Sequence, residues 1–151
     1  LMFVTLGISL AIGGLMISFV GVTHVFVPSD LAFLQTNTAT LTEANPNLIP
    51  LIAHDRAGFG GALISDAIVI LISALWGIGE GKRWLWWTLL LSGFPGFLAV
   101  FSIHLAIGYV DLWHLFPAYF AFILYLLGLV LLYPYMAKAR IRHPQKFDSI
   151  Q

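Results

Sequence analysis

The side chains able to do chemistry in this chain are few. Four of its five histidines, His24, His54, His104 and His114, fall near one end of successive apolar stretches, together with Asp55, Arg56, Asp66 and Asp111. Three kinds of chemistry fit such a set. Imidazoles on facing helices ligate haem iron, and the best pair by position is His24 with His104. Imidazoles with Asp55, Asp66 or Asp111 could hold zinc or iron. The set could also form a polar pocket in which histidine and aspartate exchange hydrogen bonds and protons with a quinone, a lipid or another amphiphile. No spacing forms a specific motif: His-Glu-x-x-His and Glu-x-x-His are absent, and the chain has no cysteine, which removes thiolate metal sites and thiol nucleophiles.

Each residue also has a structural reading. His54 and His114 lie where an interface makes polar groups cheap. Asp111 fits the N-cap of a following helix. His24 and His104 lie deeper and fit hydrogen bonds to neighbouring helices. Asp66 is harder to explain this way, because "GGALISDAIVIL" sinks it in an apolar run some ten residues past Arg56, about 15 Å along a helix. A carboxylate there is expected to face a partner or a wet cavity inside the bundle.

The elements that position these groups follow from composition. Hydrophobic residues make up 60% of the 151 residues and charged residues only 9%, where a soluble domain carries about a quarter. Mean hydropathy is +0.93. Net charge is zero, so nothing points to nucleic acid. A helix needs about 20 apolar residues to cross a bilayer core. Four segments qualify, at about 1–27, 54–79, 84–108 and 112–136, followed by a basic tail over 137–151. The expectation is one all-α transmembrane domain, 1–151, built as a four-helix bundle in contact with lipid. Leu1 stands where an initiator methionine would, so residues are expected to precede it. A signal-peptide reading of the first segment is weak: no Asp, Glu, Lys or Arg occurs before Asp30, and the segment exceeds the ~7–15 apolar residues of such peptides.

Basic residues orient the bundle. Lys82, Arg83, Lys138, Arg140, Arg142 and Lys146 share one side of a four-span chain and Arg56 alone falls opposite. By the positive-inside rule both termini are cytoplasmic and the histidines lie in the outer half. Aromatic residues mark both interfaces, with Trp84, Trp86, Trp87, Tyr133 and Tyr135 inside and Tyr109 and Trp113 outside. The long outer connection, 28–53, contains "PSDLAFL", expected as a short helix capped by Ser29 or Asp30. Small residues are expected to pack the helices: Gly7, Ala11, Gly14, Ser18 and Gly21 on the first, meeting Ala57, Gly61 and Ser65 on the second. "SGFPGF" at 92–97 is expected to kink or loosen the third helix.

The "VP-D-L" loop, the "DRAGFGG" opening of the second helix and the four-span plan together resemble the small four-helix bacterial membrane proteins grouped around the DoxX-like families. That resemblance implies a bacterial inner-membrane protein, in some members an accessory subunit linked to quinone or other redox partners. It carries no catalytic residue to this chain. The functional expectation is a non-catalytic accessory subunit that packs beside a larger membrane complex or self-associates, with a polar pocket built from the histidines and Asp66. The alternatives are a redox protein binding haem b or a quinone, and a small membrane enzyme using Asp66 and a histidine on a lipid-like substrate. Four spans leave a lone transporter little room for alternating access.

Overall fold

The computed structural model describes residues 1–138. The tail from 139 onward, with Arg140, Arg142 and Lys146, lies outside the described residues. Helix α1 spans Met2–Val22, α2 Pro28–Leu34, α3 Thr38–Ala44, α4 Leu48–Ile72, α5 Arg83–Ile107 and α6 Leu112–Ala137. A π-helical turn, Ser73–Gly77, continues α4. Among the described residues there is no strand. Four helices, α1, α4 with its π turn, α5 and α6, are long and apolar enough to cross a membrane.

Boundaries differ from expectation mainly at α4. It begins at Leu48 rather than near His54, so His54 lies in its second turn. Asn45 and Asn47 close the preceding turn, and Pro50 falls in the first turn, where its missing N–H costs nothing. The 28–53 connection is largely helical. In α2 the N-cap is Val27 rather than Ser29 or Asp30, and the Asp30 carboxylate at the third helical position accepts the Val27 N–H at 2.9 Å.

Helix α1 lies between α4 and α6, and α6 between α1 and α5. The α1–α4 pair is the tightest. A Cβ at Gly14 would come 2.6 Å from the Gly60 carbonyl, and one at Gly60 would come 2.5 Å from the Gly14 carbonyl, so only hydrogen fits at this crossing. Gly7 faces Ala67 and Leu71, and Gly21 faces Ala53, Arg56 and Ala57. The expected α1 stripe is therefore the contact stripe, but its partner stripe on α4 is shifted. Gly60 replaces Gly61, and Gly61 and Ser65 are exposed. The reason is helical period: steps of four drift about 40° each, whereas Ala57, Gly60, Ile64, Ala67 and Leu71 alternate three and four and stay on one face.

The α5–α6 pair is held differently. Pro95 lies inside α5 and Pro134 inside α6, and each removes one backbone donor. Side chains from the facing helix bond carbonyls on the preceding turn. The Tyr125 hydroxyl reaches the Leu90 carbonyl at 2.6 Å and lies 3.2 Å from that of Leu89. The Trp86 indole N–H donates to the Leu129 carbonyl at 2.9 Å. Gly93 is the seat for the Tyr125 ring, since a Cβ there would stand 2.6 Å from it. Phe3 of α1 packs over Gly128 and edge-on to Tyr125, joining the two pairs.

The contacts of α2 with α4 and with the α5–α6 turn place the long α1–α4 connection and that turn at one end of the bundle, the loop end. Met2, Lys82, Arg83 and Lys138 mark the opposite, basic end.

Candidate functional site at the loop end

Asp30 is the centre of the loop-end cluster. It is 6% exposed. Its Oδ2 accepts from the Val27 N–H and from the Arg56 guanidinium at 2.5 Å, and its Oδ1 accepts from the Tyr109 hydroxyl at 3.0 Å. Arg56 also lies over the Phe26 ring, 5.9 Å from its centroid. One carboxylate thus ties α2, α4 and the α5–α6 turn together. A buried charge is tolerated when its lone pairs are satisfied in this way.

Tyr109 owes its place to Gly108. The glycine has φ of +75° and ends α5, with the Tyr109 N–H bonded back to the His104 carbonyl at 3.0 Å. A side chain at Gly108 would be strained in that conformation. The turn sets Tyr109 against Phe33 of α2, with centroids 4.6 Å apart, and against His114, 4.4 Å away. Burial holds the Tyr109 hydroxyl pKa above its ordinary 10.0. The Ser29 hydroxyl works the other way, and the Asp30 carboxylate adds to the rise.

Proton positions follow from what each partner can do. An ionised Asp30 only accepts, so Tyr109 donates to it. The phenol oxygen then accepts from His114 Nδ1, 3.1 Å away, and Ser29 Oγ lies 3.5 Å from the same nitrogen. His104 Nδ1 faces the Val100 carbonyl at 2.8 Å, so it too carries hydrogen. With Nδ1 carrying the hydrogen, the neutral form of each ring has Nε2 as its acceptor. The two rings lie 5.6 Å apart. Beside them a groove of about 180 Å³ is lined by Phe101, His104, Leu105, Val110, Leu115 and Tyr119.

The other expected residues lie elsewhere. His24 is exposed past the end of α1 and does not line the groove, so the proposed His24–His104 haem pair is not assembled there. His54 pairs with its neighbour Asp55 at 3.1 Å, and their side chains are 82% and 71% exposed. Asp111 caps α6 by accepting the His114 N–H at 2.7 Å. Asp66 departs most from expectation. It is exposed on the outside of the four helices rather than directed among them, and it has no ionic or hydrogen-bonded partner among the described residues. The α1 contact residues on α4 are 57, 60, 64, 67 and 71, and position 66 lies about 100° off the Ala67 direction. Among the described residues no group of three or more histidine or acidic side chains could hold a metal ion.

Of the expected set, the fold brings together Arg56, His104 and His114. It adds Asp30 and Ser29, expected only as helix caps, and Tyr109, expected only as an interfacial aromatic. The signal available was the placement of Asp30 two residues after Pro28, where a carboxylate reaches back to the N-cap backbone. Its link to Arg56 leaves no trace in spacing. The chain was compared with models of known families, with curated proteins and with solved structures, and it matches none of them.

Proposed function

We propose that the chain is a small, non-catalytic membrane subunit that holds the polar head of a quinone-like amphiphile at its loop end and packs beside a larger membrane complex. The observation that carries this reading is the apolar groove lined in part by His104, whose ring lies tilted 5.6 Å from His114 and 5.8 Å from Tyr109 of the Asp30 network. At about 180 Å³ the groove lies below the ~300–1,000 Å³ of sites that enclose a whole ligand. It suits one ring, with an aliphatic tail left in lipid. His104 Nε2 would accept a hydrogen bond from a hydroxyl on that ring, while the network behind it fixes the imidazole. The wall residues exclude water from the ring faces.

The accessory role draws on α5, in which only Leu85 and Leu89, near its basic end, are buried by the chain's own helices. In this reading the basic end is cytoplasmic, both termini lie on that side, and the membrane is a bacterial inner membrane, as the DoxX-like resemblance implies.

The test is photolabelling of the purified chain in bilayers with an azido-quinone, followed by peptide mapping. Saturable labelling between Phe101 and Tyr119 is expected, and His104→Leu should weaken it about five- to tenfold, the worth of one hydrogen bond of ~1 kcal/mol. Labelling spread evenly over lipid-facing aromatic residues would overturn the reading.

A further inference from the structure

Helices α4 and α5 meet at the basic end, where a Cβ at Gly77 would touch the Leu85 side chain at 2.9 Å. Beyond that contact they do not pack as an extended pair, and the bundle is open between them. Counting away from it, 77 to 66 and 85 to 96, sets Asp66 level with Gly96. Both flank the opening. Ile70 and Ala74, one and two turns from Asp66, pack against the core cluster shared by Phe3 and Leu6 of α1 and Leu85 and Leu89 of α5, and Gly77, which ends the same row, is the residue that meets Leu85. On α5, Ser92, Gly96 and Ala99 follow Leu85 at helical spacing on the side it presents to α4. All three are exposed, and a Cβ at Gly96 would meet nothing within 4 Å. The result is a slot with a carboxylate on one wall and small residues on the other.

Asp66 is also at mid-depth. Gly96, level with it, is at the middle of Arg83–Ile107, and the Gly7–Ala67 and Gly14–Gly60 contacts put Asp66 level with about Ile8, inside Met2–Val22. An unpaired carboxylate there requires a complement. Among the described residues none supplies it. Arg56 is engaged by Asp30 ten residues away, about 15 Å. Lys82 and Arg83 lie at the basic end. A second copy inserted in the same orientation presents the same apolar residues at this depth.

We propose that the slot between α4 and α5 receives one transmembrane helix of a different protein, carrying a lysine or arginine at mid-span that pairs with Asp66. Ser92, Gly96 and Ala99 let the two backbones approach, and the ion pair sets depth and rotation. This proposal rests on the accessory-subunit reading and names the surface and the chemistry of the partner.

The experiment places donor-labelled full-length protein in phosphatidylcholine vesicles with acceptor-labelled synthetic leucine–alanine transmembrane helices, which differ only in a central lysine or leucine. Energy transfer should report at least tenfold tighter association for the lysine helix. Asp66→Asn should abolish that preference, and because Asp66 has no ionic or hydrogen-bonded partner among the described residues, helical content should be unchanged. Gly96→Leu, on the opposite wall, should block association by filling the slot. Equal binding of the two helices, indifference to Asp66→Asn, or Asp66-dependent self-association of the chain would each overturn the proposal. Azido-quinone labelling of the same variants separates the two readings. Retained groove labelling with no lysine preference removes the docking site alone, and lysine preference without groove labelling removes the amphiphile alone.

Discussion

Asp30 takes donors from a backbone amide, a guanidinium and a phenol, and each comes from a different part of the chain. Asn in its place keeps the size and loses the charge, leaving Arg56, whose side chain is 25% exposed, without its counterion. Asp30→Asn should cost about 3 kcal/mol, toward the low end for a broken buried pair because Arg56 keeps some solvent. The measurement is reversible unfolding in detergent or bilayer. Arg56→Gln on the Asp30→Asn background should recover part of the loss, and additive losses would show that the two residues do not act on each other. The Tyr109 phenol gives a second test. Its raised pKa means that the fold favours the neutral form. That contribution is complete below the unfolded value of 10.0 and is lost as pH rises through the folded one. The wild-type minus Tyr109→Phe difference in tyrosinate absorbance should have its midpoint above 10.0. A midpoint at or below 10.0 would remove the phenol from the network.

At the scale of the helices, two pairs use two different devices. Backbones approach through glycine in α1–α4, and side chains bond backbone carbonyls of the facing helix in α5–α6. Gly60→Leu should destabilise by at least ~2 kcal/mol, because the added atoms meet the Gly14 carbonyl of a rigid helix. Gly61→Leu should be close to neutral, since a Cβ there meets nothing within 4 Å. Thermal unfolding of the two variants side by side reads the register directly, and equal losses would refute it. Tyr125→Phe removes the hydroxyl but keeps the ring over Gly93. A loss of about 0.6–1.7 kcal/mol is expected, the range of interhelical hydrogen bonds in membranes.

For the whole molecule, the helix order leaves one side of the bundle open and puts the long α1–α4 connection and the α5–α6 turn at one end. In the proposed orientation Lys82, Arg83 and Lys138, at the other end, face the cytoplasm. The chain has no cysteine, so single substitutions report access without background. In intact cells, an impermeant maleimide should label Thr40→Cys, in the connection between α1 and α4. Glu80→Cys, in the connection between α4 and α5, should react only after the membrane is permeabilised. The reverse pattern would invert the assignment. Asp66 also belongs to this scale. A lone carboxylate at the centre of a span costs ~2.5–3.5 kcal/mol on insertion scales. Its position on the outside of the four helices makes it a question about what surrounds the molecule.

By itself the sequence determined the four spans and their short connections, because crossing length and apolarity are local properties of a run of residues. It determined the α1 stripe of Gly7, Gly14 and Gly21, because helical period alone puts them on one face, and it supported the Asp111 cap, which bonds three residues away. It also marked Asp66 as costly. Tertiary structure alone decided that Asp66 faces outward, that Gly60 and not Gly61 meets α1, and that Asp30 joins Arg56 to Tyr109. Those outcomes depend on the rotation of each helix about its own axis and on how a connection folds back over the bundle end. Both are set by contacts between residues far apart in the chain. Shared depth along a helix is legible in spacing, and shared direction around it is not.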